Sequence, residues 1–154
     1  MNHIEIQTAV NSPEQPNQQQ IQCWVDAALE GMQQDSEIVV RIVDEHESAS
    51  LNEQYRHKQG PTNILSFPFE TPEGFPHIQL DLLGDLVICA PVVIREALEQ
   101  NKKLEHHWAH LIVHGVLHLL GYDHTNDEEA ELMESKEIAI LKLLKINNPY
   151  QNEA

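Results

Sequence analysis

The chain has 154 residues, 41% of them hydrophobic, with 25 acidic against 9 basic side chains and a formal net charge of −16. That length suits one domain with its own core, and no stretch approaches a membrane-spanning run. The acidity excludes a general electrostatic footprint for nucleic acid, so an RNA ligand would have to be met by a local basic patch, a metal ion or a partner protein.

Residues 3–8 alternate and predict a short strand. Pro13, Pro16 and Asn17 punctuate a loop, after which Ile21, Trp24, Val25, Ala28, Leu29 and Met32 fall on one helical face, with Gly31 near the helix end. The β-branched run Glu37–Val43 predicts a buried strand. Residues 46–58 predict a short polar helix with Leu51 and Tyr55 as inward contacts, broken by Gly60-Pro61. TNILSFPFE reads as a strand stopped by Pro68, and TPEGFP as a turn-rich loop. Residues 79–90 read as a strand with a bulge at Gly84. Pro91 suits the first turn of a helix reaching about Lys103, with Lys102 and Lys103 near its negative end. Residues 104–120 form an apolar helix, and Thr125 with Glu128 resembles a capping box opening a last helix to about Leu144. The order β-α-β-α-β-β-α-α-α implies an α+β fold, a single domain with a mixed sheet of about four strands and about five helices. The tail from about 146 is expected to be flexible.

The most informative stretch is HGVLHLLGYDH, in which His114, His118 and His124 have the spacing H-x-x-x-H-x-x-G-x-x-H. On a helix the first two share one face, with Cβ atoms ~5–6 Å apart. Gly121 can end the helix in a left-handed turn, and the reversal brings His124 round as a third imidazole. Three neutral imidazoles with an open position is a catalytic zinc arrangement, with Zn–N distances of ~2.0–2.1 Å. The metal site is thus expected at the C-terminal end of a central helix. A helical histidine pair alone would favour a surface or core role, but here a third histidine and the turn glycine coincide with it.

The pattern matches the zinc-protease motif H-E-x-x-H-x-x-G-x-x-H except that Gly115 stands where those proteases carry their glutamate base. The cage is kept and the peptidase's base is missing. A straight row of His110, His114 and His118 spans ~12 Å, too long for one metal to gather, so His110 is expected as a supporting or packing residue. His106 and His107 are expected to be exposed. Asp123 is expected to orient an imidazole or cap the turn. Asp85 reads equally as a turn residue or a polar group at a sheet edge. Asn63 and Ser66 line a loop–strand junction, and Ser66 has no nucleophile setting. Trp24 and Trp108 are expected as core anchors; with 5% aromatic residues no RNA-stacking surface is evident. Arg56 and Lys58, by position alone, read as surface cations, although a guanidinium near a metal can clamp a phosphate in bidentate fashion. MNHIEIQTAV lacks the charged and apolar regions of a secretory signal, and Cys23 and Cys89 are expected as two buried reduced thiols of a cytoplasmic protein.

HGVLHLLGYDH, together with NEQYRHKQGPTNILSFPF and LLGDLVI, resembles the YbeY family of bacterial metal-dependent endoribonucleases. The resemblance runs from about Glu37 to about Leu144. It implies that residues 1–154 are one YbeY-like metallohydrolase domain, and that His114, His118 and His124 bind Zn²⁺. It makes Arg56 important for activity, with His114 as its catalytic companion. It further implies a cytoplasmic enzyme acting on single-stranded RNA in maturation of the 3′ end of small-subunit ribosomal RNA and in ribosome quality control. The implied partners are the ribosome or ribosomal proteins and a GTPase, with no membrane. The family commonly has P-T-D where this chain has Pro61-Thr62-Asn63, which removes any charged role at 63. Two rival readings remain beside it. One is a zinc-dependent hydrolase of another bond, such as a peptide; the other is a non-enzymatic ribosome-assembly factor with structural zinc.

Overall fold

A computed structural model of the chain describes residues 2–10, 15–30, 36–69 and 82–150. The elements are β1 (His3–Thr8), α1 (Gln18–Leu29), β2 (Glu37–Val43), α2 (Glu45–Arg56), β3 (Ile64–Pro68), β4 (Leu82–Cys89), α3 (Ala90–Glu99), α4 (Leu104–Leu119) and α5 (Asp127–Leu143). This is the expected order and an α+β single domain. The expected helix-end residues Gly31 and Met32, and the TPEGFP loop, lie outside the described residues.

The sheet order is β1-β2-β4-β3, with β1, β2 and β4 parallel and β3 antiparallel on the outer edge. Residues on β-strands alternate faces, and the two faces have separate partners. Ile38, Val40, Ile42, Ile64, Leu86 and Ile88 pack with α1, α4 and α5 in the main core, where Trp24 and Trp108 are buried. Val43, Leu65, Val87 and Cys89 face the other way, against Leu51 of α2 and Val92 of α3. Helix α4 is the central element of the main layer, with ten of its sixteen residues buried.

Two backbone features set its depth. The β2–β4 register slips where Ile38 pairs with Gly84, the expected bulge. Gly84 has φ +143°, and a Cβ there would lie 2.2 Å from the Phe67 carbonyl oxygen and 2.9 Å from Leu119 Cδ2. The end of α4 and the edge strand therefore both close onto this position. Asp85 beside it sits within β4, an interior strand, and is exposed on the sheet face rather than at an edge.

Several local expectations are corrected. Helix α2 buries Ser48 and Asn52, while Leu51 is half-buried and Tyr55 is 57% exposed, its ring set edge-on to Phe67 at 5.1 Å. The reason is polar: Ser48 Oγ donates to the Thr62 carbonyl and accepts the Thr62 N–H, both at 3.0 Å, and Asn52 Nδ2 donates to the Gly60 carbonyl at 2.9 Å. These bonds tie the loop after Arg56 back onto the helix. Asn52→Ala is expected to cost about 0.5–1.5 kcal/mol, the net worth of the lost hydrogen bond to the exposed Gly60, read as a lowered midpoint in urea unfolding.

Helix α3 ends at Glu99, and Lys103 is the N-cap of α4, so neither Lys102 nor Lys103 lies in the last turn of α3. The cap of α5 is Asn126, which accepts the Glu129 N–H, while Thr125 Oγ1 bonds the Glu129 carboxylate at 2.5 Å. The expected Thr125–Glu128 box is thus displaced by one residue. Cys89 is buried, but Cys23 lies on the outer face of α1 and is exposed.

Candidate metal centre

Helix α4 delivers His114 and His118 to one open end of the main layer. Its end is a Schellman turn: Gly121, at φ +103°, donates to the His118 carbonyl at 3.0 Å, and the Tyr122 N–H reaches the Leu117 carbonyl at 3.0 Å. A residue with a Cβ is strained at that φ, which explains the glycine. The reversal carries His124 back over the helix end. Asp123 serves the turn, its Oδ1 accepting the His124 N–H at 2.8 Å.

One ligand atom from each of His114, His118 and His124 lies within 4.8 Å of the other two. The Nε2 atoms of His114 and His118 are 3.1 Å apart. In a tetrahedral site with Zn–N of ~2.0–2.1 Å, neighbouring nitrogens are ~3.3 Å apart, so the pair already has the spacing of two edge-sharing ligands. Burial, and then the neighbouring His114 and His124, hold the His118 imidazole below the ordinary histidine value, which favours the neutral form that binds metals. The donor set therefore fits a borderline ion such as zinc.

Below these rings lies a carboxylate that the sequence reading did not single out. Glu137 of α5 is fully buried. It accepts from His110 Nε2 at 3.0 Å, from His114 Nδ1 and from the Tyr150 hydroxyl. Burial pushes this carboxyl up, but the hydrogen bonds of His110 and His114, with that of Tyr150, outweigh it and hold it down at about 2. Burial and the same contact push the Tyr150 phenol up. His110, expected as a supporting or packing residue, contacts this carboxylate. A signal for Glu137 was present: it stands four residues after Met133 and four before Leu141, both buried, so it interrupts the apolar stripe of α5. Tyr150 left no comparable signal.

His107, expected at the surface, is buried, with Nε2 2.9 Å from Glu96. Asn63 Nδ2 donates to the same carboxylate at 3.1 Å, and its Oδ1 accepts the Ile64 N–H at 2.6 Å. Burial raises the Glu96 carboxyl, and the His107 and Asn63 hydrogen bonds bring it below the usual range. An aspartate at 63 would face Glu96 as a like charge, whereas the amide supplies a donor. His106 is half-buried.

The histidines open into a cleft of about 840 Å³ that Tyr55, Arg56 and the edge strand β3 also line. Arg56 lies in the last turn of α2, exposed, and among the described residues its guanidinium has no carboxylate partner. Ser66 lines the same cleft; Lys58 is exposed and is not among the described lining residues. Among those lining residues Asp123 is the one carboxylate, so the cleft departs from the acidity of the whole chain.

Gly115 explains the absent protease base. It is buried where α4 crosses the sheet, and a Cβ there would lie 2.7 Å from Leu86 Cδ2 and 2.8 Å from Ile64 Cδ1. The position next to His114 faces the sheet.

Comparison with known proteins gives the family and the fold. The family model described as endoribonuclease YbeY matches residues 3–145. A protein of Methylococcus capsulatus named endoribonuclease YbeY is 60% identical over 136 residues, covering 88% of this chain and 87% of its own. One of the same name from Colwellia psychrerythraea is 53% identical over 151 residues, 96% of each chain. The solution structure of a Thermotoga maritima protein shares the fold, with a TM-score of 0.59 at 22% identity over 98% of this chain and 99% of that one. By its sequence over nearly its whole length, the chain belongs to the YbeY endoribonuclease family.

Proposed function

We propose that this protein is a metal-dependent endoribonuclease that cuts single-stranded RNA in maturation of the 3′ end of small-subunit ribosomal RNA. The carrying observation is one cleft lined both by a three-imidazole cluster and by an exposed guanidinium that has no carboxylate partner among the described residues. His114, His118 and His124 would hold one Zn²⁺ ion. When bound, such an ion polarises a phosphoryl oxygen and lowers the pKa of water to ~7. Arg56 binds the scissile phosphate and stabilises the charge that develops on its non-bridging oxygens, which a planar guanidinium does through two parallel N–H bonds. The same reading makes the protein cytoplasmic, with a part in ribosome quality control and with ribosomal proteins or a GTPase delivering the RNA. Delivery by a partner answers the net charge of −16, since the cleft supplies too little positive charge to collect RNA from a distance. Among the described residues no helix is long and apolar enough to cross a membrane.

The test is cleavage of a fluorescent single-stranded oligoribonucleotide by purified protein, with and without chelator. Arg56→Ala is expected to lower kcat by about 10²–10³-fold, the usual loss for one transition-state donor, with zinc content unchanged. Arg56→Lys is expected to fall between, because it keeps the charge and loses the fork. An Arg56→Ala enzyme with wild-type kcat sinks this role. The peptidase reading is opposed by Gly115, whose position admits no base, and a metal-dependent cut in a peptide library would restore it. Full rescue of ribosomal RNA processing in cells by a folded, inactive Arg56 variant would favour the assembly-factor reading.

A further inference from the structure

We propose that Glu137 is the positioning residue of the metal centre, a carboxylate that fixes the tautomer and aim of His114; this rests on the reading of the three histidines as metal ligands. Glu137 is the one fully buried carboxylate among the described residues. Burying an anion is costly unless it is paired and hydrogen-bonded. Its partners are two imidazoles and a phenol, with no lysine or arginine among the described residues in ion-pair contact. Those groups satisfy the lone pairs without supplying a fixed counter-charge. A divalent cation on the far side of His114 supplies it.

The geometry also decides which nitrogen is free. His114 Nδ1 lies against Glu137, so its proton is held there and the Nε2 lone pair points to the cluster, 3.1 Å from His118 Nε2. His110 and the Tyr150 hydroxyl hold Glu137 itself in place. Tyr150 comes from beyond α5, where Ile146 is buried and Lys102 Nζ donates to the Pro149 carbonyl at 2.8 Å. The chain after the last helix thereby joins the shell that aims a ligand of α4. Such outer partners raise imidazole basicity, and their loss weakens metal binding by about 10–100-fold.

The experiment measures zinc affinity by competition with a chromophoric chelator, using the full-length chain. It also reads the His114 tautomer by ¹⁵N-histidine NMR of the metal-free protein. Wild type is expected to bind one ion. Glu137→Gln is expected to bind it about 10–100-fold more weakly and to show a mixed His114 tautomer. Tyr150→Phe, which keeps the carboxylate, is expected to lose severalfold in affinity with the tautomer preserved. A Glu137→Gln protein with unchanged affinity and tautomer overturns the proposal, whatever its melting temperature. Two ions in wild type and one in Glu137→Gln also overturn it, making Glu137 a ligand with His110 and His114. If Glu137→Gln does not fold, Tyr150→Phe decides, and unchanged affinity there counts against the proposal. Wild type that binds no ion removes the underlying metal reading, a failure distinct from any confined to the variants.

Discussion

His118→Ala is expected to lower the cleavage rate of single-stranded RNA by roughly a thousandfold or more, as is removal of the ion with a strong chelator. The size follows from the several kcal/mol of charge stabilisation that a divalent ion contributes at a phosphoryl centre, ~4 kcal/mol being three powers of ten. His118 is a better test than His114. It is half-buried at the cleft, and its ring meets the other two histidines and the Tyr122 backbone rather than a buried carboxylate. His114 also satisfies the buried Glu137, so its loss would mix a folding defect with a metal defect. The measurement pairs the initial cleavage rate with metal content by mass spectrometry, and a melt checks that the variant stays folded. Wild-type rates from metal-free or His118→Ala protein would remove the ion from the reaction. Metal content that survives the substitution would instead put His118 outside the ligand set.

The parts of this site that were legible in the sequence are those built within one or two turns of chain. His114, His118, Gly121 and His124 form a local motif whose geometry follows from helical spacing and one left-handed residue. The succession of elements along the chain followed for a similar reason, since each strand has its own run of apolar or β-branched residues between turn signals; their order in the sheet did not. What escaped was set across the fold. His107 reads as polar until Glu96, from the preceding helix, and Asn63, from the start of the edge strand, supply its environment. The partners of Glu137 lie 13 to 27 residues away, on α4 and beyond α5. Helix α2 misled because its inward face is polar: Ser48 and Asn52 are buried by bonds to a loop, which no hydrophobic periodicity can report. Arg56 lay between the two cases. Position alone gave a surface cation, the family resemblance gave a role, and the structure puts it in the same cleft as the histidines.

Gly115→Glu, which would restore the residue that zinc proteases carry beside the first histidine, is expected to abolish folding rather than create a peptidase. A helix turns about 100° per residue, so position 115 leaves the cleft and meets the sheet. A Cβ alone would sit 2.7 Å from Leu86 Cδ2 and 2.8 Å from Ile64 Cδ1, closer than side chains tolerate without moving. Gly115→Ala is therefore expected to cost about 1–3 kcal/mol by overpacking, less about 1 kcal/mol that alanine gains over glycine inside a helix. At this chain length that is a fall of roughly 2–4 °C in Tm for each kcal/mol. Glutamate adds a carboxylate against the apolar side chains of Ile64 and Leu86, a further cost of several kcal/mol. Together these approach the ~5–15 kcal/mol that holds a domain folded. Circular dichroism melts of the two variants provide the graded check: a lowered but cooperative transition for alanine and none for glutamate. A soluble Gly115→Glu protein melting like wild type and cutting peptides would show that this face of α4 opens to the cleft. The absence of a protease base would then be a choice of side chain rather than a consequence of how closely the helix lies on the sheet.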